Sequence, residues 1–138
     1  EFPCVIVNIA TGEVLDTFRR YVRPIFHKQL SSKCKEVTKI PQATVDAAEP
    51  LTVVLKEFYA WIDSKNLDVT KLAAVTCGDW DLGTAVPSEI SRRNLPFPPV
   101  YLRSWVNLKR PFTAIIDKKT GNLPYKVVSR NTMAKMLR

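Results

Sequence analysis

The feature that most limits how this chain can fold is one amphipathic stretch. Leu51, Val54, Leu55, Phe58 and Ile62 recur at spacings of three and four behind Pro50. That is the repeat of an α-helix with a single buried face. Pro50 suits the first helical position, where a backbone N–H has no helical partner. The spacing predicts a helix over about residues 50–63, with its apolar stripe in the core. A helix with one apolar stripe has to lay it on a second layer.

Strands supply that layer. Cys4-Val5-Ile6-Val7 is a short β-branched run, and Ala10-Thr11-Gly12 is a turn signal before Val14–Val22. Together they predict a hairpin over about residues 3–23, ended by Pro24. Leu72–Cys77 reads as a buried strand stopped by Gly78, and Val100–Leu108 as a further strand behind the stiff Pro96, Pro98, Pro99 connector. Residues 25–48 are mixed, with a short helix expected near Ser31–Glu36. A helical segment should follow Asp81, weakened by Gly83 and split by Pro87, with Ser88 capping a new start. Lys118–Asn122 reads as a loop and Asn131–Arg138 as a terminal helix. The pattern is an α/β layered domain, and 138 residues suit one domain covering 1–138.

Apolar residues at 46% and charged residues at 25% are the balance of a folded protein, which excludes disorder as the main state. No apolar run is long enough to span a bilayer, so no membrane partner is expected. The opening Glu1-Phe2-Pro3-Cys4 has no signal-peptide character. Cys4, Cys34 and Cys77 are too few and scattered for a disulfide framework and fit reduced thiols, hence an intracellular reducing compartment. With one histidine, His27, and no C-x-x-C, a zinc site is not expected.

Charge is the strongest functional signal. Residues 1–91 carry 10 basic and 12 acidic side chains, whereas residues 92–138 carry 11 basic ones and a single acid, Asp117. A segment with a net charge of +10 attracts phosphate backbones. Arg92, Arg93, Arg103, Lys109, Arg110, Lys118 and Lys119 are the expected phosphate contacts. Tyr101, Trp105 and Phe112 are aromatic candidates for base stacking, with core packing the better expectation for Trp105.

Several strings, in order, resemble one family. Glu1-Phe2-Pro3-x-Val5, Tyr21-Val22-x-Pro24 and Cys34-x-Glu36-x-Thr38-x-Ile40-x-Gln42-x-x-Val45-Asp46 come first. Thr76-Cys77-Gly78-Asp79-Trp80-Asp81-Leu82, Ser104-Trp105-Val106-Asn107-Leu108-Lys109 and Ser129-Arg130-Asn131-Thr132 follow. The set resembles the DEDDh 3′–5′ exonucleases of the enhanced-RNAi (ERI) type across nearly the whole chain. The resemblance implies a ribonuclease H-like fold, a mixed sheet with flanking helices, acting on RNA 3′ ends with two divalent metals, Mg or Mn. It makes Asp81 the second-motif acid, the one matching catalytic residue and metal ligand. It places an Asp-x-Glu motif on a central strand upstream of Glu1, so that strand is expected to be absent from this chain. That would leave unpaired backbone beside the hairpin and the strand at 72–77. The third-motif His and Asp fall at Leu123 and Val128, with Val127 also apolar. Lys39 stands where the family has a glycine near the bound nucleotide, which adds it to the expected RNA-binding residues. Asp79 matches no metal ligand and reads as a turn residue, and His27 lies far from the third motif.

One aspartate does not neutralise two dications. The expectation is therefore an RNA-binding, catalytically inactive exonuclease-like domain with no cofactor of its own. It would serve, together with other proteins, in a ribonucleoprotein assembly such as a ribosome. The alternative is an active Mg-dependent 3′–5′ exoribonuclease completed by segments outside this sequence. A third reading is a protein-binding module whose sheet edge a partner strand completes.

Overall fold

The structure, a computed structural model, describes residues 1–112. The chain divides into two compact units, Glu1–Leu67 and Asp68–Arg138. Among the described residues, no helix is long and apolar enough to cross a membrane.

The first unit is a hairpin under a helix. Strand β1 (Phe2–Val7) pairs antiparallel with β2 (Val14–Arg20), in a register that sets Cys4 opposite Phe18 and Ile6 opposite Asp16. A bulge between Ile6 and Val7 leads into the turn. There Asn8 Oδ1 accepts from the Ala10 N–H at 3.0 Å and Gly12 takes φ +73°, a left-handed conformation natural to glycine. Alternation buries Ile6 and Phe18 and exposes Val5 and Val7. Helix α3 (Leu51–Asp63) buries Val54, Leu55, Phe58 and Ile62, the stripe that its spacing predicts. Phe58 lies 5.1 Å from Phe2 and 5.5 Å from Phe18, ring centre to ring centre, and Trp61 lies 5.4 Å from Phe18. Edge-on contacts of this kind make the aromatic cluster the core of the unit.

Between hairpin and helix lie β3 (Val22–Arg23), α1 (Ser32–Thr38), α2 (Gln42–Asp46) and β4 (Glu49–Pro50). Ser31 caps α1 by accepting from the Cys34 N–H at 3.1 Å. Pro50 departs from expectation. It is extended and precedes the helix, because Glu49–Pro50 pairs in parallel with Val22–Arg23. Lys39 ends α1 at φ 58°, a left-handed residue where glycine is the usual occupant.

Asp16 links the two layers. Its carboxylate accepts from Trp61 Nε1 at 2.9 Å and forms an ion pair with Lys65. Lys65, the Thr17 N–H and Trp61 together pull its carboxyl down to about 2, from an ordinary 3.8. The folded group titrates below the unfolded one, so its stabilising contribution is complete above the unfolded value and fades as pH falls toward about 2. Urea melts of the wild type should therefore lose stability across that acid window, and Asp16→Asn should flatten this part of the profile. Identical profiles for the two proteins would contradict the assignment.

In the second unit β5 (Ala74–Thr76) pairs in parallel with β6 (Trp105–Asn107), Thr76 opposite Asn107. A 3-10 turn at Val69–Lys71 precedes β5 and another spans Val100–Leu102. The strand expected over Val100–Leu108 is thus shortened to three residues. Proline-fixed chain leads into the turn, whose Leu102 N–H bonds the Pro99 carbonyl at 3.0 Å. The segment after Asp81 is helical and is not split at Pro87. Asp81–Ala85 forms a π-helical turn that runs into α4 (Val86–Arg92), and Pro87 falls in the first turn of α4, where its missing N–H costs nothing.

The expected mixed sheet takes the form, among the described residues, of three two-stranded ladders, two parallel and one antiparallel. Within them β1 pairs only with β2 and β5 only with β6. The predicted loop at 118–122 and helix at 131–138 lie outside the described residues.

Candidate nucleic-acid interface

The site grows from Gly78 and the turn after β5. Gly78 sits at φ +129°, and the Thr76 hydroxyl donates to its carbonyl at 2.6 Å. This turns Asp79 toward β6. Strand alternation puts Trp105 and Asn107 on one face. Trp105 Nε1 donates to Asp79 Oδ1 at 3.0 Å and Asn107 Nδ2 to Asp79 Oδ2 at 2.9 Å. Arg110 Nη2 reaches the same Oδ2 at 3.3 Å. The Trp105 bond first, then Asn107 and Arg110, hold the Asp79 carboxyl below its ordinary value. Asn107 is the buried polar residue of this unit, and its Oδ1 accepts from the Lys109 N–H at 3.0 Å. A cavity of about 390 Å³ opens beside Asp79, Ser104, Trp105 and Arg110.

Asp79 is the residue that sequence reasoning missed. It reads as a turn aspartate, yet it ties the Asp81 segment to β6. The available signal was Trp105 and Asn107, two donors two residues apart on one strand face, which together need an acceptor. Gly83 serves the same junction. A Cβ there would come within 3.2 Å of the Trp105 ring, so the glycine gives that ring its place. Trp105 is half-buried, packed against Gly83 on one side and lining the cavity on the other. Tyr101 and Phe112 are half-buried.

Asp81 opens the π-helical turn and is exposed. The expected phosphate contacts differ in availability. Arg93 leaves the set. Only 8% of its side chain is exposed, and it is clamped to Glu89 at 2.7 Å. Arg92 is exposed. Arg103 is exposed, its Nε donating to the Pro98 carbonyl at 2.8 Å. Arg110 is 72% exposed while paired with Asp79. Lys109 is half-buried at the start of a helical segment. Lys118, Lys119, Leu123, Val127 and Val128 lie outside the described residues. Lys39 and His27 are exposed residues of the first unit. Cys4, Cys34 and Cys77 are half-buried and outside any disulfide, and burial raises the pKa of Cys4.

The class of this mixed α/β chain comes from its likeness to known proteins, which gives it the ribonuclease H-like fold of exonuclease domains. The exonuclease family model RNase_T matches residues 1–123, so the chain belongs to that family, in its DEDDh, ERI-type branch. It is 36% identical over 139 residues to human ERI1 exoribonuclease 2, which covers 89% of this chain and 20% of that protein. The chain therefore spans about a fifth of the length of that relative. The nuclease domain of 3′hExo bound to rAMP superposes with a TM-score of 0.76 at 31% identity, over 89% of this chain and 60% of that one. A 3′-exonuclease described as recognising the histone mRNA stem-loop 3′ end gives 0.77 at 33% identity, over 84% and 40%.

The family implies divalent metal ions. The described residues do not fit a pair of them. Asp79 is committed to three donors, which leaves Asp81, and among the described residues no group of three or more His, Cys, Asp or Glu side chains converges.

Proposed function

We propose that this domain binds RNA 3′ ends without hydrolysing them and acts as an RNA-holding component of a ribonucleoprotein in a reducing compartment. The observation that carries the non-hydrolytic part is that, among the described residues, no group of three or more His, Cys, Asp or Glu side chains gathers around Asp81. Asp79, two residues away, matches no metal ligand and is bonded to Trp105, Asn107 and Arg110. Two dications held close together need several carboxylates to offset their repulsion.

The sequence around the site supports RNA as the ligand, because it is rich in exposed cations and poor in acids. Residues 90–112 contain no Asp or Glu, while Arg92, Arg103, Lys109 and Arg110 all fall there. The relatives named above are exoribonucleases, and this chain keeps their fold. Binding of a labelled single-stranded RNA to the full chain should weaken steeply with salt. About four phosphate contacts give a log–log slope near −3, a loss of roughly 50-fold between 50 and 200 mM. An affinity indifferent to salt over that range would overturn the RNA reading.

A further inference from the structure

Pro96, Pro98 and Pro99 bracket Phe97 in a strap between α4 and the 3-10 turn at Val100–Leu102. Proline fixes φ, so the strap has few conformations to lose. Pro99 stands at φ −54°, ψ 156°, and Pro98 is buried, which anchors the strap. Phe97 is nonetheless 81% exposed. A rigidly held ring that forfeits nearly all of its apolar burial is a surface offered to something else. One face is occupied. The Arg103 guanidinium carbon lies 5.4 Å from the ring centre, and Arg103 is itself fixed by its bond to the Pro98 carbonyl at 2.8 Å.

We propose that Phe97 and Arg103 form a stacking platform for one base of single-stranded RNA, which lies on the Phe97 face opposite the guanidinium. The inference rests on the RNA-binding reading and adds to it a site that the charge pattern alone does not reveal. Every base carries a π-face, so an aromatic ring binds without sequence preference, and a guanidinium on its far side strengthens the ring as a stacking partner. The fixed strap removes the entropy cost of ordering the ring at the moment of binding. Arg103 keeps its η N–H donors for the adjoining phosphate, and exposed Arg92 lies in the same acid-free stretch. A proline-recognising protein groove fits less well. Arg93, Pro96 and Pro99 have the spacing such grooves read, but the Arg93 guanidinium is buried against Glu89.

The test uses the full chain and fluorescein-labelled 12-mers of U and of A at fixed salt. Phe97→Ala should weaken both about ten-fold, equivalent to about 1.4 kcal/mol, and leave the salt slope unchanged, because no phosphate contact is lost. Phe97→Trp should restore affinity, whereas Phe97→Leu, apolar but without a π-face, should not. Circular dichroism checks that each variant keeps the fold. If Phe97→Ala binds within two-fold of a wild type that itself binds with a steep salt slope, the platform is wrong and the RNA reading stands. If the wild type binds neither 12-mer, both fall. Unchanged RNA affinity, with Phe97→Ala abolishing binding to a purified SH3 domain, would reassign the strap to a protein and likewise overturn the platform.

Discussion

Phe58→Ala should cost about 3–5 kcal/mol and bring the first unit close to unfolding at room temperature. Phe58 is 2% exposed and touches the rings of Phe2, Phe18 and Trp61. Truncation removes the ring that joins the helix to both strands of the hairpin, and the stiff aromatic neighbours are poorly placed to collapse into the space. A loss of that size is a large share of the roughly 5–15 kcal/mol that holds a domain together. Ile9→Ala is the control. Ile9 is 97% exposed at the hairpin turn, and its truncation should stay within about 0.5 kcal/mol. Urea denaturation followed by tryptophan fluorescence measures both. A Phe58→Ala loss below about 1 kcal/mol would mean that the cluster is not the core described above.

That core was legible in the sequence because burial imposes a period. Leu51, Val54, Leu55, Phe58 and Ile62 follow the helical repeat, and the alternation of Ile6 and Phe18 with their exposed neighbours follows the strand repeat. Period does not report where an element stops. Pro50 reads as a helix start and is a strand residue, because its partner Val22–Arg23 is distant in sequence. Pro87 reads as a break and is absorbed by a wider turn, which has no sequence signature. The Val100–Leu108 run partly alternates, yet only Trp105–Asn107 finds a partner strand.

The site was legible in part. The ordered strings name Asp81 and the charge count names the basic stretch, and Lys39 occupies a backbone conformation that favours glycine. Net charge did not tell Arg93, locked onto Glu89, from Arg92, which is exposed, because that difference depends on the angle around α4. It did not find Asp79 either, whose role comes from donors 26 to 31 residues away.

The second large effect concerns chemistry. Enzymes of any kind typically accelerate their reactions by about 10⁶-fold or more, and in nucleases that work with two metal ions much of that acceleration comes from charge stabilisation by those ions. Among the described residues no cluster of acids forms around Asp81 to hold such ions, and on the proposed reading the domain does not supply that acceleration. Replacing Asp81 should therefore change nothing in turnover, whereas in a working nuclease the loss of a metal-ligating carboxylate removes most of the rate. Asp79→Asn should leave turnover equally unaffected, since Asp79 holds Trp105 and Asn107 in place and touches no reacting atom.

The most direct measurement follows a 5′-labelled single-stranded RNA incubated with the full chain in Mg²⁺ or Mn²⁺, resolved to single nucleotides over time. The account predicts RNA that is bound but keeps its full length, with wild type and Asp81→Ala indistinguishable. A ladder of products shortened stepwise from the 3′ end by the wild type, and absent with Asp81→Ala, would contradict it.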